Sequence, residues 1–205
     1  AHANGVSIGA HPGFNDLWGF GRRRIDMKPR DLEYAVAYQI GALQAMAHYA
    51  GQPVTHVKPH GALNNMAAED ADLAMAIAQA IKTVDDTLIF VALSGSEMEK
   101  AGDALGLKVA REGFADRQYE ADGNLTSRSI EGSVYKDPAI ALKQVLRMIS
   151  DGEIETRQGT LIKRRVDTVC IHGDEPTAVA LGAEVKRGLE AAGVKLVTLP
   201  AMNLD

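Results

Sequence analysis

Apolar residues occur along this chain in short continuous runs, and each run ends at a polar or charged cluster. The clearest case is the stretch 55–64, where Thr-His-Val leads into Lys58, Pro59, His60 and Gly61. The runs do not alternate polar and apolar residues with a period of two, as strands with one exposed face do. They therefore predict strands of a parallel sheet that are buried on both faces. Four other stretches follow the same pattern: 6–13, 88–95, 107–113 and 169–174.

Between these runs, apolar residues recur at helical spacing. In the segment 31–50 they form one stripe, with Asp31 placed as an N-cap and Gly51 just after the last turn, so we predict a helix there. The same reasoning predicts four further helices, at 70–81, from 94–96 to 102–106, at 137–149 and at 176–192.

Three further segments complete the predicted secondary structure. Residues 107–110 are expected to form a strand that ends before Arg111, residues 153–163 a small β-hairpin, and residues 195–199 a final strand. Polar residues at the ends of so many successive strands favour a β/α barrel over a doubly wound sheet, because only in a barrel do all strand-to-helix loops converge on one site.

Composition and charge narrow the class of protein. The 205 residues, 46% of them hydrophobic, suffice for one substantial core, and we predict a single domain over 1–205. The formal net charge of −5 offers no basic footprint for nucleic acid or an anionic membrane, so a small-molecule ligand is favoured. The only cysteine, Cys170, excludes an internal disulfide and indicates a reducing compartment, so we expect the cytoplasm.

The start of the chain has its own pattern. Residues 1–5 resemble the end of a helix with Gly5 as its C-terminal stop, and the first residue is alanine rather than methionine. The pattern predicts that this segment begins inside a larger fold. If the molecule began at Ala1, the sheet would have open edges, which favour self-association into a homo-oligomer.

Eight ionisable residues are predicted to lie around a common mouth at the strand ends. They are His11, Lys58, His60, Arg111, Asp116, Arg117, His172 and Asp174. A single histidine at a strand end is more often a hydrogen-bonded structural group than a functional one. Three strands that each end in histidine are harder to ascribe to packing, because a buried imidazole without a partner costs free energy. We therefore expect a site of chemistry there.

The loop 12–24 is too long for a simple connection, and it carries a basic triplet, Arg22, Arg23 and Arg24. These arginines are suited to binding a carboxylate or a phosphate, although a basic triplet in a loop is usually only solvated. The Walker pattern of nucleotide-binding loops is absent from the sequence. Asp174 has four interpretations: it orients an imidazole, acts as a general base, binds a metal, or caps the last helix.

Several motifs occur together in one order along the chain. They are His11-Pro-Gly13, Gly19-Phe-Gly-Arg-Arg23, residues 38–43, His56-Val-Lys-Pro-His-Gly-Ala-Leu63, residues 112–117 with Asp122-Gly123, and His172-Gly-Asp174. On these motifs nearly the whole chain resembles the LamB/YcsF family. The resemblance implies a seven-stranded β/α barrel related to glycoside hydrolases and carbohydrate deacetylases. It also implies an ATP-dependent opening of 5-oxoproline to L-glutamate, performed together with separate 5-oxoprolinase B and C subunits.

The sequence departs from the family pattern in two places. A DxNxDxGE strand end and a CGxHxGD strand end, which usually open such proteins, are absent, so the resemblance implies that the first two strand–helix units are missing from this chain. Asn64-Asn65 stands where tyrosine-asparagine is more usual, which alters one wall of the expected pocket.

The implied reaction suggests a role for each candidate. Phosphorylation of the lactam oxygen, followed by attack of water, needs cations near the phosphoryl group, a donor to the lactam and a base for water. ATP is the expected cofactor, and Mg²⁺ is expected with it. We assign substrate or anion binding to His11, Arg22, Arg23, Arg111, Asp116 and Arg117, polarisation of the lactam to Lys58 and His60, and water activation to His172 with Asp174.

Two alternatives remain open at this point. The first is a metal-dependent amidohydrolase or deacetylase that acts without ATP, with His11, His60, His172 and Asp174 as its metal ligands. The second is a non-catalytic subunit that binds the lactam and presents it to a partner enzyme.

Overall fold

A computed structural model describes residues 1–174 and 176–204, with the backbone alone for His2. It shows an α/β fold. The main strands are β1 (Ile8–Ala10), β2 (Val54–Val57), β3 (Ile89–Leu93), β4 (Val109–Phe114) and β7 (Thr168–Cys170), and a hairpin is formed by β5 (Glu153–Glu155) and β6 (Leu161–Lys163). The helices are α1 (Pro29–Tyr49), α2 (Gly61–Glu69), α3 (Ala71–Val84), α4 (Glu97–Leu105), α5 (Pro138–Ser150) and α6 (Ala178–Ala191), with single 3₁₀ turns at His2–Asn4 and Leu199–Ala201.

The main sheet has the strand order β1-β2-β3-β4-β7. The pairs β1–β2, β2–β3 and β4–β7 are parallel, as the continuous apolar runs predicted. β5 and β6 form the predicted antiparallel hairpin as a separate sheet. Within the described residues the main sheet holds five strands, so the seven-stranded barrel implied by the family stays a prediction.

The chain divides into two compact units, and the prediction of a single domain is left open by this division. The first unit comprises Ala1–Ala110 and Thr198–Asp205. In it, all five residues of β3 are buried, and α3 packs against both α1 and α4. Burial of an apolar helix face of this kind is the main source of helix stability in proteins.

The second unit, Arg111–Val197, contains most of β4, the hairpin, β7, α5 and α6. Its core forms where α5 packs against α6. The buried residues of this core are Ala115, Ala141, Val145, Leu181, Val185 and Leu189. The spacing of four residues along each helix places one apolar face of that helix inside.

Helix ends agree with the sequence where a side chain caps the helix. Asp137 and Asp70 are N-caps: the Asp137 carboxylate accepts from Ala139 N at 2.9 Å, and the Asp70 carboxylate accepts from Leu73 N at 3.1 Å. The predicted start of α1 at Asp31 is wrong by two residues. The helix begins at Pro29 because proline at the first helical position loses no hydrogen bond and has a suitable φ.

Helix α2 is absent from the sequence prediction. Gly61, which belongs to the polar cluster that follows β2, is the first residue of this helix, at a φ of 56°. The side chains of Leu63 and Ala67 are fully buried, so packing rather than propensity holds the helix in place.

Two predicted strands need correction. The strand predicted at 107–110 runs from Val109 to Phe114, so Arg111 lies inside β4 instead of after its end. The polar residues Arg111 and Glu112 were taken to mark the end of the strand, but Glu112 is a strand residue that is only 4% exposed. The strand predicted at 195–199 is also wrong. Residues 194–198 are irregular, and Pro200, which has no N–H to donate to a sheet, lies in a 3₁₀ turn.

None of the helices in 1–174 and 176–204 combines the length and the hydropathy that crossing a membrane requires.

Candidate functional site

In the first unit, the ends of β1 and β2 place His11, Lys58 and His60 side by side. The pairing of the two strands continues past their last residues: Lys58 N donates to Ala10 O at 2.9 Å, and His60 N donates to Pro12 O at 2.8 Å. These bonds hold the two chain segments together where their side chains leave the sheet. The predicted placement of these three side chains just beyond parallel strand ends is confirmed.

The two imidazoles of His11 and His60 are in direct contact. Their ring centroids are 4.8 Å apart at an interplanar angle of 72°, and His11 Nε2 lies 3.1 Å from His60 Nδ1. Each ring also contacts a backbone carbonyl through its other nitrogen: His11 Nδ1 lies 2.6 Å from Lys58 O, and His60 Nε2 lies 2.6 Å from Phe20 O.

The two contacts with backbone carbonyls indicate which ring nitrogens carry the hydrogen atoms. A carbonyl oxygen only accepts hydrogen bonds, so the two nitrogens that face carbonyls must be the donors. In two neutral rings, the facing nitrogens His11 Nε2 and His60 Nδ1 would then both be acceptors. A hydrogen bond between these two nitrogens therefore requires one additional proton.

The loop 12–24 closes tightly around His60. Gly21 has a φ of 65°, and a Cβ atom at this position would lie 2.8 Å from His60 Cδ2. Phe20 also has a positive φ, 54°, which is uncommon for a residue with a side chain and which accompanies the contact of its carbonyl with His60. Gln39 on α1 ties the loop down by two hydrogen bonds of 3.0 Å with the backbone of Gly13.

A buried carboxylate that the sequence analysis missed anchors the same loop. Asp16, with a side chain only 1% exposed, forms an ion pair with Arg23 and accepts from Gly19 N at 3.0 Å. The Arg23 guanidinium lowers the pKa of Asp16 to about 2. Arg23 was predicted to bind an anion, and the structure places its guanidinium on Asp16.

The other residues at the tip of this loop are exposed. Trp18 is 97% exposed and Leu17 88% exposed. The Arg22 guanidinium lies over the ring of Phe20, 5.5 Å from its centroid, and Arg24 forms an ion pair with Asp26 at 3.4 Å. The tip therefore presents apolar side chains on an anchored base.

The pKa of His56, on β2, is lowered by its surroundings. Burial lowers the pKa of His56, and the charge of Lys58 lowers it further. His56 Nδ1 lies 2.8 Å from Thr55 Oγ1, so His56 is a hydrogen-bonded strand residue.

Asn64 and Asn65, which depart from the family pattern, both lie on α2, where Asn64 is buried.

In the second unit, the ends of β4 and β7 bring Asp116 and His172 together. The two strands pair up to Phe114 and Cys170, and Ala115 N continues the ladder to Cys170 O at 3.0 Å. His172 Nδ1 then lies 2.8 Å and 3.0 Å from the two carboxylate oxygens of Asp116. The Phe114 ring stacks on the imidazole, with centroids 5.6 Å apart at 24°.

The resulting dyad has a defined chemistry. A carboxylate accepts, so Nδ1 of His172 donates, and Nε2 of the neutral ring is left with its lone pair. The Asp116 side chain is 4% exposed, whereas the His172 side chain is 22% exposed, so the imidazole is the accessible member. The sequence analysis paired His172 with Asp174, and the carboxylate that contacts the ring is Asp116.

Asp174 follows His172 in an exposed turn. Its interpretation as the cap of the last helix is wrong, because α6 begins at Ala178 with Thr177 in the N-cap position. The segment between Asp174 and this helix start includes Glu175, which lies outside the described residues.

Arg111 and Arg117 have different surroundings. Arg111 Nη1 lies 3.7 Å from a carboxylate oxygen of Asp167, and the backbone N of Arg111 donates to the same carboxylate at 3.0 Å, so this arginine forms an ion pair within the fold. Arg117 is 4% exposed, and its Nη2 donates to Thr126 O. Burial lowers the pKa of Arg117 to about 10, and the charge of Arg128 contributes to this shift.

Within 1–174 and 176–204, no three His, Cys, Asp or Glu side chains form a group that could hold a metal ion. The metal ligand set predicted from the sequence therefore stays a prediction, as do ATP and Mg²⁺.

Known proteins match this sequence over nearly its whole length. The sequence model of the LamB/YcsF family matches residues 1–204. The 5-oxoprolinase A subunit from Rhodopseudomonas palustris (strain ATCC BAA-98 / CGA009) is 55% identical over 195 residues, which are 95% of this chain and 77% of the relative. A protein with the same name from Natranaerobius thermophilus is 48% identical over 199 residues, which are 97% of this chain and 77% of that relative.

A solved structure extends the similarity to the fold. The crystal structure of a lactam utilization protein from Thermus thermophilus superimposes with a TM-score of 0.89 at 43% sequence identity. The match covers 97% of this chain and 79% of the Thermus chain.

Proposed function

The chain belongs to the LamB/YcsF family, and from this we propose that it is a subunit of an ATP-dependent 5-oxoprolinase. The reaction opens the lactam ring of 5-oxoproline to L-glutamate while ATP is hydrolysed to ADP and phosphate. The names of the relatives from Rhodopseudomonas and Natranaerobius support this assignment, and so does the name of the Thermus structure.

ATP is needed in this scheme because amide resonance makes the lactam carbonyl a poor electrophile. The lactam oxygen attacks the γ-phosphorus of ATP, ADP leaves, and the ring carbon becomes activated. Water adds to that carbon, the C–N bond breaks, the nitrogen takes a proton, and γ-glutamyl phosphate forms. A second water hydrolyses the acyl phosphate, so one lactam, one ATP and two waters give glutamate, ADP and phosphate.

The observation that carries the proposal is the contact between Asp116 and His172. Attack by water needs a base held in one tautomer, and the Asp116 carboxylate fixes the proton of His172 on Nδ1. His172 Nε2 is therefore suited to accept a proton from water. We assign the orientation of this base to Asp116 in place of Asp174.

The residues beyond β1 and β2 are assigned to polarising the lactam. Lys58 supplies a positive charge, which adds to the effect of burial in lowering the pKa of His56. A proton added to either ring of the His11–His60 pair would be shared between the facing nitrogens, which lie 3.1 Å apart. Groups of this kind stabilise negative charge that develops on an oxygen, or protonate a departing nitrogen.

ATP and Mg²⁺ are expected in the complete assembly. Mg²⁺ supplies charge neutralisation on the phosphates of ATP when it is bound. The word "subunit" in the names of the relatives supports an assembly of several chains, and we propose separate B and C subunits as the partners.

A second role for this chain is favoured by the same naming. A chain whose relatives are named as one subunit of an enzyme would also fit a non-catalytic role, in which it binds the lactam and the partners perform the chemistry. The two roles differ in whether the Asp116–His172 dyad is needed after the substrate has bound.

An assay of ATP-dependent glutamate release tests the proposal. The full-length chain is incubated with 5-oxoproline and ATP, alone and with the B and C subunits, and glutamate and phosphate are measured. We expect the mixture to release glutamate and phosphate in equal amounts, and we expect this release to be lost when this chain is omitted. Lactam hydrolysis without ATP that stops when metal is chelated would instead establish a metal-dependent amidohydrolase. No glutamate under any condition would refute both reactions.

A further inference from the structure

One side chain on α5 holds the turn that carries Asp116. Gln144 Nε2 donates to three backbone carbonyl oxygens, those of Phe114 at 2.8 Å, Arg117 at 2.9 Å and Ala115 at 3.3 Å. A carbonyl oxygen only accepts hydrogen bonds, so the amide nitrogen of Gln144, and not its amide oxygen, faces this group. The three carbonyls lie on both sides of Asp116 in the sequence. A single amide therefore joins the end of β4 to the residue that follows the carboxylate.

Gln144 lies on the side of α5 that faces the core. Ala141 and Val145, which share this side of the helix, are fully buried, and Ala115 belongs to the same core. A polar side chain among such residues needs hydrogen-bond partners, because burial without them costs free energy. The helix itself is held by the Asp137 cap and by packing against α6. The amide is therefore presented to the turn at a defined place.

Further hydrogen bonds fix the backbone next to Asp116. Asp116 O accepts from Tyr135 N at 2.8 Å, and Ala115 N donates to the last residue of β7 at 3.0 Å. Together with the bonds from Gln144, these hold the peptide groups before and after Asp116. The direction in which the side chain leaves the backbone is thereby set, and its carboxylate reaches His172 Nδ1 at 2.8 Å and 3.0 Å.

Phe114 connects the same amide to the imidazole ring. Its carbonyl accepts from Gln144, and its ring stacks on His172 with the centroids 5.6 Å apart. Its backbone N donates to the hydroxyl of Tyr119, a fully buried residue, at 2.7 Å. A shift of the Phe114 backbone would therefore disturb the stacking on the imidazole as well as the turn.

We propose that Gln144 is a positioning residue of the Asp116–His172 dyad. Loss of its N–H groups would leave three carbonyl oxygens beside an apolar side chain, and the turn would move to pair them with water. A displacement of about 1 Å is enough to cost about a hundredfold in rate when a catalytic group must be aligned. The effect on turnover rests on the proposed function, whereas the effect on the proton of His172 does not.

Two variants of Gln144 in the full-length chain separate its donor from its bulk. Gln144→Met keeps the length of the side chain and removes the donor. Gln144→Lys supplies three N–H donors, which suit a group of carbonyl oxygens. The matched control is Gln158→Met, because Gln158 is an exposed residue of the same unit whose Nε2 donates to a Glu120 carboxylate oxygen at 2.8 Å.

The position of the proton on His172 is the first readout. Two-dimensional ¹H–¹⁵N NMR spectra at alkaline pH, where imidazoles are neutral, distinguish a ring protonated on Nδ1 from one protonated on Nε2. The variant His172→Gln identifies the signals. We expect the Nδ1–H tautomer alone in the wild type, in Gln144→Lys and in Gln158→Met. We expect both tautomers in Gln144→Met, because the bond to Asp116 that selects one of them is weakened.

Turnover of the complete assembly is the second readout. Gln144→Met should lower kcat by about tenfold to a hundredfold with KM within about twofold, and Gln144→Lys should recover most of this loss. In the Asp116→Asn background, Gln144→Met should cause little further loss, because the carboxylate through which it acts is already gone. If Gln144→Met does not fold, Gln144→Asn, which keeps the amide on a side chain one methylene shorter, replaces it in both experiments.

The outcomes distinguish this role from the proposed function. A single Nδ1–H tautomer in Gln144→Met overturns the proposal. So does an unchanged kcat in an active assembly, or an equal fold loss in the wild-type and Asp116→Asn backgrounds, since either would make Gln144 a residue of the fold alone. If Gln144→Met shows both tautomers but the wild-type assembly releases no glutamate, the positioning role stands and the proposed function fails.

Discussion

The imidazole of His172 is hydrogen bonded through Nδ1 to both carboxylate oxygens of Asp116, at 2.8 Å and 3.0 Å, although 56 positions separate the two residues. The parallel pairing of β4 with β7 produces this contact. It places Phe114 opposite Cys170, so the residues that follow the two strands leave the sheet side by side. A base oriented by a buried carboxylate is a recurring arrangement in hydrolytic enzymes.

We expect Asp116→Asn to lower ATP-dependent glutamate release by about a hundredfold to ten-thousandfold, because an amide can stabilise the wrong tautomer of His172. The substrate KM should change little, which distinguishes the effect from lost binding. Steady-state kinetics of the complete assembly, with Asp174→Asn beside it, measure both constants. A larger loss in the Asp174 variant would return the orienting role to that residue.

Lys58→Met should abolish turnover while the chain stays folded. Methionine keeps most of the length of the lysine side chain and removes only its charge, so the packing of this half-buried residue is retained. The matched control is Lys100→Met, which removes a charge from a side chain that is 68% exposed. Glutamate release and the far-UV circular dichroism spectrum are measured for both, and unchanged turnover in Lys58→Met would remove that residue from the site.

Gly21→Ala should destabilise the protein more than Gly51→Ala. Both glycines have a left-handed backbone, with φ of 65° and 69°, so each alanine costs about 1–2 kcal/mol of conformational energy. Only at Gly21 would the new Cβ also meet a ring, 2.8 Å from His60 Cδ2, whereas nothing lies within 4 Å of it at Gly51. The midpoints of denaturant unfolding and the turnover of both variants give the comparison. Equal unfolding midpoints would show that the loop accommodates the additional Cβ at position 21 without loss of stability.

Acid should remove the contribution of the Asp16–Arg23 pair at low pH. The pKa of Asp16 is lowered from 3.8 to about 2, chiefly by Arg23, so the carboxylate stabilises the folded state above its unfolded pKa. This contribution is lost as the pH falls from about 4 towards 2. The difference in Tm between wild type and Asp16→Asn should therefore be constant from about pH 5 to 7 and should shrink below about pH 4. A difference that persists at about pH 2 would argue against the ion pair as its source.

The sequence predicted features that depend on local pattern. Continuous apolar runs gave the parallel strands, and short side chains such as Asp70 and Asp137 gave the helix starts, because capping acts over two or three residues. Placement of His11, His60 and His172 after strand ends followed from the same reading. The family resemblance, confirmed across 1–204, added the expected chemistry.

What could not be predicted depends on contacts between distant segments. The carboxylate of Asp116 was expected to bind substrate or an anion, and only strand pairing shows that it reaches His172. Asp16 belongs to no motif, and its importance comes from burial and from the neighbouring guanidinium of Arg23. In β4 the polar residues Arg111 and Glu112 were taken for a loop, because sequence pattern alone does not reveal that a charged side chain is buried with its partners.

The loop that encloses His60 also contains the chain's single tryptophan, Trp18, which is 97% exposed on a base fixed by Asp16 and Arg23. The protein therefore carries an intrinsic fluorophore at a known position, with no competing indole elsewhere in its sequence. Emission of the isolated chain should resemble that of indole in water and should be quenched readily by iodide. A partner chain that covers this loop would shift the emission of Trp18 to shorter wavelength and shield it from quencher, and this change is measured after the emission of the partner alone has been subtracted.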